Sequence, residues 1–167
     1  AFIKGILILL PVLMKFFFLI ITNQAAKERV FEFFFGGMPA GLFRKKCRDY
    51  AAKRIPQLIV PQGRERILWH QKQGHVTVLV SASFEPYLSE WCRANQMELV
   101  ATRVEIADGK VSGRFLSANC YGPEKTRRIL KQYDLSRYKR IYAYGDSRGD
   151  KEMLALADEA YYRWRLR

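Results

Sequence analysis

Two carboxylates stand four positions apart in the run Tyr144-Gly145-Asp146-Ser147-Arg148-Gly149-Asp150. Ahead of them, residues 139–145 (KRIYAYG) are rich in β-branched and aromatic side chains and break at a glycine, as a buried strand entering a loop would. Behind them, residues 151–157 (KEMLALA) carry a helical pattern. A strand that delivers two acids at its carboxyl end, beside a helix start, suits a hard divalent cation such as Mg²⁺. The same two acids could instead cap the helix by accepting its free N–H groups.

Two residues upstream bear on that choice. Residues 76–81 (VTVLVS) form a second apolar run ending in the hydroxyl of Ser81, followed by Ala82 and Ser83. Lys125 opens the amphipathic stretch 126–133 (TRRILKQY). Taken singly, Ser81 reads as the cap of a helix starting near Phe84 and Lys125 as a solvent-facing helix lysine. Taken in order, a strand-end serine, a lysine and a Gly-Asp-x-x-x-Asp loop resemble the haloacid dehalogenase (HAD) phosphatases. The wording is similar too, in VSASFEPYLSEWC from Val80, NCYGPEK from Asn119 and YAYGDSRGDKEMLALAD from Tyr142. The resemblance runs over nearly the whole chain and is strongest to subfamily IB, which holds phosphoserine phosphatase and the phosphatidylglycerophosphatase-like hydrolases.

That resemblance implies an α/β fold: a Rossmann-like core with a mainly parallel sheet, an N-terminal helical cap and a small β-hairpin. It implies Mg²⁺-dependent hydrolysis of a phosphomonoester through an aspartyl-phosphate. Asp146 would bind Mg²⁺ directly or through water, and Asp150 would hold a metal-bound water or orient Lys125. The Ser81 hydroxyl and the Ala82 N–H would meet a phosphoryl oxygen, and Lys125 would offset charge beside it. Ser83, Glu85 and Asn119 are candidate pocket residues by position. Arg148 departs from the small or amide residues common in this loop and carries no catalytic role. One motif is missing. The family's Asp-x-Asp-x-Thr loop supplies the nucleophile and the general acid/base, yet no Asp-x-Asp occurs here and the first aspartate is Asp49. The expectation is therefore a remainder of a longer protein, inactive by itself, with two inner strand edges left unpaired.

Charge and composition narrow the partners. With 29 basic and 16 acidic residues the net charge is +13, but the basic residues are dispersed and accompany no nucleic-acid motif, so nucleic acid is set aside. A hydrophobic content of 49% argues against disorder. A phosphorylated small molecule or a phospholipid remains as partner. Cys47, Cys92 and Cys120 form no C-x-x-C pair, which suits a reducing cytoplasm. His70 and His75 read as ordinary turn residues.

The elements that must position these groups follow from periodicity. Residues 1–55 read as helices of an apolar, Phe-rich cap, broken at Asn23 and at residues 36–41; residues 56–167 read as the core lacking its first strand. Residues 2–21 are apolar but interrupted by Lys4, Pro11 and Lys15, and read first as cap helix, second as peripheral membrane contact, last as a span. From residue 64 the pattern gives helix 64–73, strand 75–81, helix 84–95, a strand from 98, a hairpin over 103–115 turning at Asp108-Gly109, helix 123–133, strand 139–145, helix 149–157 and a strand at 159–162. A second class of reading keeps the sheet but not the chemistry: a non-catalytic, membrane-associated or interaction protein.

Overall fold

Thr22 starts the described part of the chain, which in this computed structural model comprises residues 22–166. Its hydroxyl accepts the Ala25 N–H at 3.1 Å and so caps α1 (Asn23–Phe35). The helix ends at Gly36, and after a short turn Pro39 leads into α2 (Ala40–Lys53). A single turn, α3 (Ile55–Leu58), precedes α4 (Pro61–Lys72), whose proline occupies the first turn where no N–H is needed. That places the helix start three residues earlier than the sequence pattern indicates.

The alternating part follows: β1 (Val78–Phe84), α5 (Glu85–Ala94), β2 (Glu98–Thr102), β3 (Val104–Ala107), β4 (Lys110–Phe115), α6 (Pro123–Gln132), β5 (Tyr142–Gly145), α7 (Lys151–Leu154), β6 (Glu159–Tyr162) and β7 (Arg165–Leu166). From residue 64 on, each expected element is present, with shifted ends. Residues 139–141 stay outside β5 because its partner β6 begins at Glu159, opposite Tyr142. The helix expected over 149–157 is a 3₁₀ turn, Arg148–Asp150, followed by the one turn of α7. The first apolar run starts at Val78, since His75 is still held in the turn by its N–H to the His70 carbonyl at 3.0 Å.

Strands β1 and β2 pair in parallel from Val78↔Glu98 to Ser81↔Ala101, and β5 and β6 from Tyr142↔Glu159 to Gly145↔Tyr162. The β3–β4 hairpin turns at Asp108 and Gly109, both with positive φ (49° and 72°), as a two-residue hairpin turn requires. The α/β class thus holds, with two parallel and two antiparallel strand pairs among the described residues rather than a mainly parallel sheet, and the sheet is not continuous. Among the described residues β1 does not pair with β5. Between them runs a mostly apolar groove of about 740 Å³, walled by Val78, Leu79 and Val80 on one side and Tyr142, Ala143 and Tyr144 on the other.

Two apolar clusters hold the helices to this frame. Phe31, Phe43, Cys47, Val104 and Val111 are buried together, with Phe35, Phe84 and Phe115 against them. Ala51, Ile55, Leu88 and Ala101 form the second, flanked by Tyr87 and Trp91. Of the four phenylalanines in α1, Phe31 is 2% exposed and Phe35 packs on the first cluster, whereas Phe33 and Phe34 face outward. Burying a side chain the size of Phe31 contributes about 1.5–3 kcal/mol. No helix among the described residues is long and apolar enough to cross a membrane. The alternatives for residues 2–21 lie outside the described residues.

Candidate active site

Regular pairing of β1 stops at Ser81, and Phe84 then re-pairs with Thr102, so Ala82 and Ser83 are looped out of the ladder. A bulge at a strand end re-aims its backbone and side chains. Here the Ser83 N–H turns back to the Ser81 hydroxyl at 3.1 Å, and the Ala82 carbonyl accepts from Thr102 Oγ1 at 3.0 Å. Ser81 is therefore not a helix cap: α5 is capped by Phe84 without a side-chain hydrogen bond. Its hydroxyl accepts one N–H and keeps its own proton for another acceptor.

Lys125 is not solvent-facing either. It sits in the first turn of α6 and is 7% exposed. Its ammonium reaches across to the Val80 carbonyl at 3.0 Å and to Asp150 Oδ1 at 2.6 Å. These contacts tie α6, the end of β1 and the loop after β5 to one point.

Asp150 has both oxygens engaged. Oδ1 takes Lys125, while Oδ2 accepts the N–H groups of Asp146 (3.2 Å) and Ser147 (3.0 Å) and the Ser147 hydroxyl (2.7 Å). Part of this is the capping box anticipated for a helix start, formed with Ser147. Burial pushes the Asp150 carboxyl up, but the hydrogen bonds from Lys125 and Ser147 outweigh it and hold the pKa below the usual carboxylate value. The side chain crosses so close to Gly145 that a Cβ there would stand 2.6 Å from the Asp150 Cβ, so only glycine fits at this strand end.

Asp146 differs. It is exposed at the mouth, and its carboxylate has no hydrogen bond among the described residues. Two free, hard oxygens beside a carboxylate that is already saturated suit Mg²⁺, which keeps most of its waters and takes one or two protein carboxylates. The described residues contain no cluster of three or more acidic, His or Cys side chains. The fit is thus of one open carboxylate, Asp146, with Asp150 holding the loop behind it.

These residues line one cleft of about 450 Å³: Ser81, Ala82, Ser83, Lys125, Asp146 and Asp150, with Tyr121, Ser147 and Arg163 among the rest of its wall. Two expected pocket residues lie elsewhere. Glu85 points outward to Arg103, 3.4 Å away. Asn119 is buried behind the β1 bulge, where its side chain meets Thr102, Lys27 and Asn23. The sequence reading did not single out Lys27 or Arg163. Lys27 lies in an unremarkable amphipathic run, and Arg163 reaches the cleft only because the β6–β7 turn folds its N–H onto the Gly145 carbonyl at 2.8 Å.

The histidines are more than turn residues. His70 is buried, its Nδ1 is 2.9 Å from Nδ1 of His75, and its Nε2 is 3.0 Å from the Tyr144 hydroxyl. Burial, then His75 and Arg66, lower its pKa. The network fastens α4 to the strand that leads into Asp146.

Residues 4–155 match the family described as haloacid dehalogenase-like hydrolases. Protein CicA of Caulobacter vibrioides is 29% identical over 161 residues, which span 95% of this chain and 72% of CicA. Among solved structures, a protein of unknown function from Bordetella pertussis Tohama I superposes with a TM-score of 0.75 at 20% identity, over 91% of this chain and 70% of its own. A probable phosphoserine phosphatase from Vibrio cholerae superposes with a TM-score of 0.68 at 15% identity, over 92% of this chain and 46% of its own.

Proposed function

Since the chain belongs to the haloacid dehalogenase-like hydrolases, we propose that its cleft is the phosphate and metal site of a Mg²⁺-dependent phosphomonoester phosphatase. The observation that carries this reading is convergence: Ser81 at the end of β1, Lys125 in α6, and Asp146 and Asp150 in the loop after β5 come from three separate stretches and line one cleft.

Phosphoryl transfer needs charge neutralisation and positioning above all. Ser81 donates its free hydroxyl proton to a phosphoryl oxygen, and the looped-out peptides at Ala82 and Ser83 lie against the same group. Lys125, fixed between Val80 and Asp150, supplies a positive charge that needs no reorganisation when charge develops on the phosphoryl oxygens. Asp146 holds the metal; Asp150 aims Lys125 and shapes the loop. Bound Mg²⁺ offsets the repulsion between an attacking carboxylate and the phosphate dianion.

The attacking carboxylate is assigned to an aspartate on a strand seated in the groove between β1 and β5. Such a strand would run parallel to both neighbours and end between Ser81 and Asp146. Its carboxylate would attack phosphorus as the ester P–O bond breaks and the alcohol departs with a proton from a general acid. Water would then split the aspartyl-phosphate into inorganic phosphate and the free carboxylate. The substrate is a phosphorylated small molecule or a phospholipid, and the outward-facing Phe33 and Phe34 of the helical segment lean toward the second.

Release of phosphate from an aryl phosphate, with and without Mg²⁺, tests the proposal on this chain and on a version extended upstream. Turnover is expected only in the extended form, only with Mg²⁺, and is lost in Asp146→Asn. An extended form that carries Asp-x-Asp and remains inert would favour the non-catalytic reading.

A further inference from the structure

The Lys27 ammonium is half-buried and has no carboxylate partner among the described residues. It donates to the Ala82 carbonyl and, at 2.9 Å, to Asn119 Oδ1. The ring of Phe84 lies 5.1 Å from it and that of Phe115 6.0 Å. Isolated cations are costly to bury, and this one is surrounded by acceptors and aromatic faces rather than by an acid. Its neighbours on α1 reinforce the contact: Gln24 accepts the Asn119 N–H at 3.1 Å, and Asn23 accepts from Asn119 Nδ2 at 3.0 Å.

The atom that Lys27 holds matters more than the tether. A trans peptide places C=O and N–H on opposite sides. Lys27 on α1 and Thr102 on β2 both donate to the Ala82 carbonyl, so the Ser83 N–H of the same peptide points the other way, to Ser81 Oγ at 3.1 Å. With one of its two lone pairs so engaged, the Ser81 hydroxyl is turned to donate its proton into the cleft.

We propose that Lys27 is a positioning residue for phosphate, acting through the Ala82–Ser83 peptide to set Ser81 as a donor. The inference rests on the phosphate-site reading above and adds a residue from α1 to it. It also gives the helical segment a part in the chemistry: displacing α1 from β1 removes one of the two donors on the Ala82 carbonyl and so loosens the orientation of Ser81.

A double-mutant cycle tests this, with inorganic phosphate titrated in the presence of Mg²⁺ and binding read by calorimetry. Lys27→Met keeps a stem of similar length between Phe84 and Phe115 and removes the donor. It is expected to weaken phosphate about tenfold, as loss of a charged hydrogen bond does, while Lys27→Arg recovers most of that loss. In a Ser81→Ala background the Lys27→Met change should shift affinity less than about twofold, because its effect passes through Ser81. Thermal midpoints of all variants are read alongside. Equal phosphate affinity in Lys27→Met, or the same loss with and without Ser81, overturns the Lys27 assignment and leaves the site intact. A lowered midpoint with unchanged affinity does the same. Failure of the unaltered chain to bind phosphate overturns both the site and the assignment.

Discussion

Lys125 Nζ stands 2.6 Å from Asp150 Oδ1, and the two side chains are only 9% and 7% exposed. Geometry this close makes the pair a joint between α6 and the loop after β5, and it makes each partner dependent on the other. Removing one side of a buried ion pair leaves an uncompensated charge, whereas removing both does not.

Lys125→Met should therefore lower the unfolding free energy by about 3–5 kcal/mol, measured by urea denaturation. A double variant, Lys125→Met with Asp150→Leu, should recover a large part of it. Acid gives an independent check. The Asp150 pKa is depressed in the folded state, so its contribution is present above the unfolded carboxylate value of about 3.9 and is lost as pH falls through the lower folded one. Asp150→Asn should flatten the stability profile below about pH 4.

Asp146 predicts the opposite balance. It is exposed and holds nothing with its carboxylate among the described residues, so Asp146→Asn should change stability by no more than about 0.5 kcal/mol. Mg²⁺ should nevertheless cease to perturb the amide resonances of Asp146, Ser147 and Ser81 in a ¹H–¹⁵N titration. Persistence of those shifts in the variant would place the cation elsewhere.

Asp146 and Asp150 also show where sequence was informative. Their spacing, the glycine ahead of them and the helical run behind them point to a loop at a strand end that presents two acids, and β5 does end in such a loop beside the cleft. What spacing could not assign was the division of labour, because it depends on which oxygen is already taken: Lys125 and Ser147 occupy Asp150, and only three-dimensional contact reveals that. Glu85 illustrates the converse. It follows the β1 loop closely, yet the first turn of α5 rotates it outward to Arg103. Lys27 was illegible for another reason, since its role depends on a backbone carbonyl 55 positions away and backbone acceptors leave no signature in side-chain order. Helix and strand types were legible from periodicity, whereas strand ends were set by partners: β5 begins where β6 first reaches it.

His70 predicts a stability change near neutrality. Its folded pKa lies below the unfolded value of about 6.5, so its contribution is present above that pH and is lost as pH falls toward the folded value. Both histidines cannot carry Nδ1 protons and keep the 2.9 Å contact, and Arg66 adds repulsion. Thermal midpoints should fall between about pH 7 and pH 5.5, and His70→Gln should lower the plateau and flatten that slope. A slope unchanged in His70→Gln would assign the transition to another group.

The groove between β1 and β5 leads to the last prediction. Parallel strands are ordinarily buried on both faces and paired on both edges. Here every residue of β1 and of β5 is only half-buried, and the edges that face each other carry no partners among the described residues. Unpaired edges are where exchange with solvent is fast and where another strand can add. Hydrogen exchange should therefore find weak protection for the amides of residues 78–80 and 142–144 that point into the groove, against stronger protection of those bonded to β2 and β6. A strand seated there would protect the first group selectively, by at least about a hundredfold if each bond closes in a cooperative ladder. It would also raise the unfolding midpoint. Equal protection on both edges of β1 in the present chain would mean that the groove is already closed in solution, and the proposed seat for the attacking aspartate would be lost.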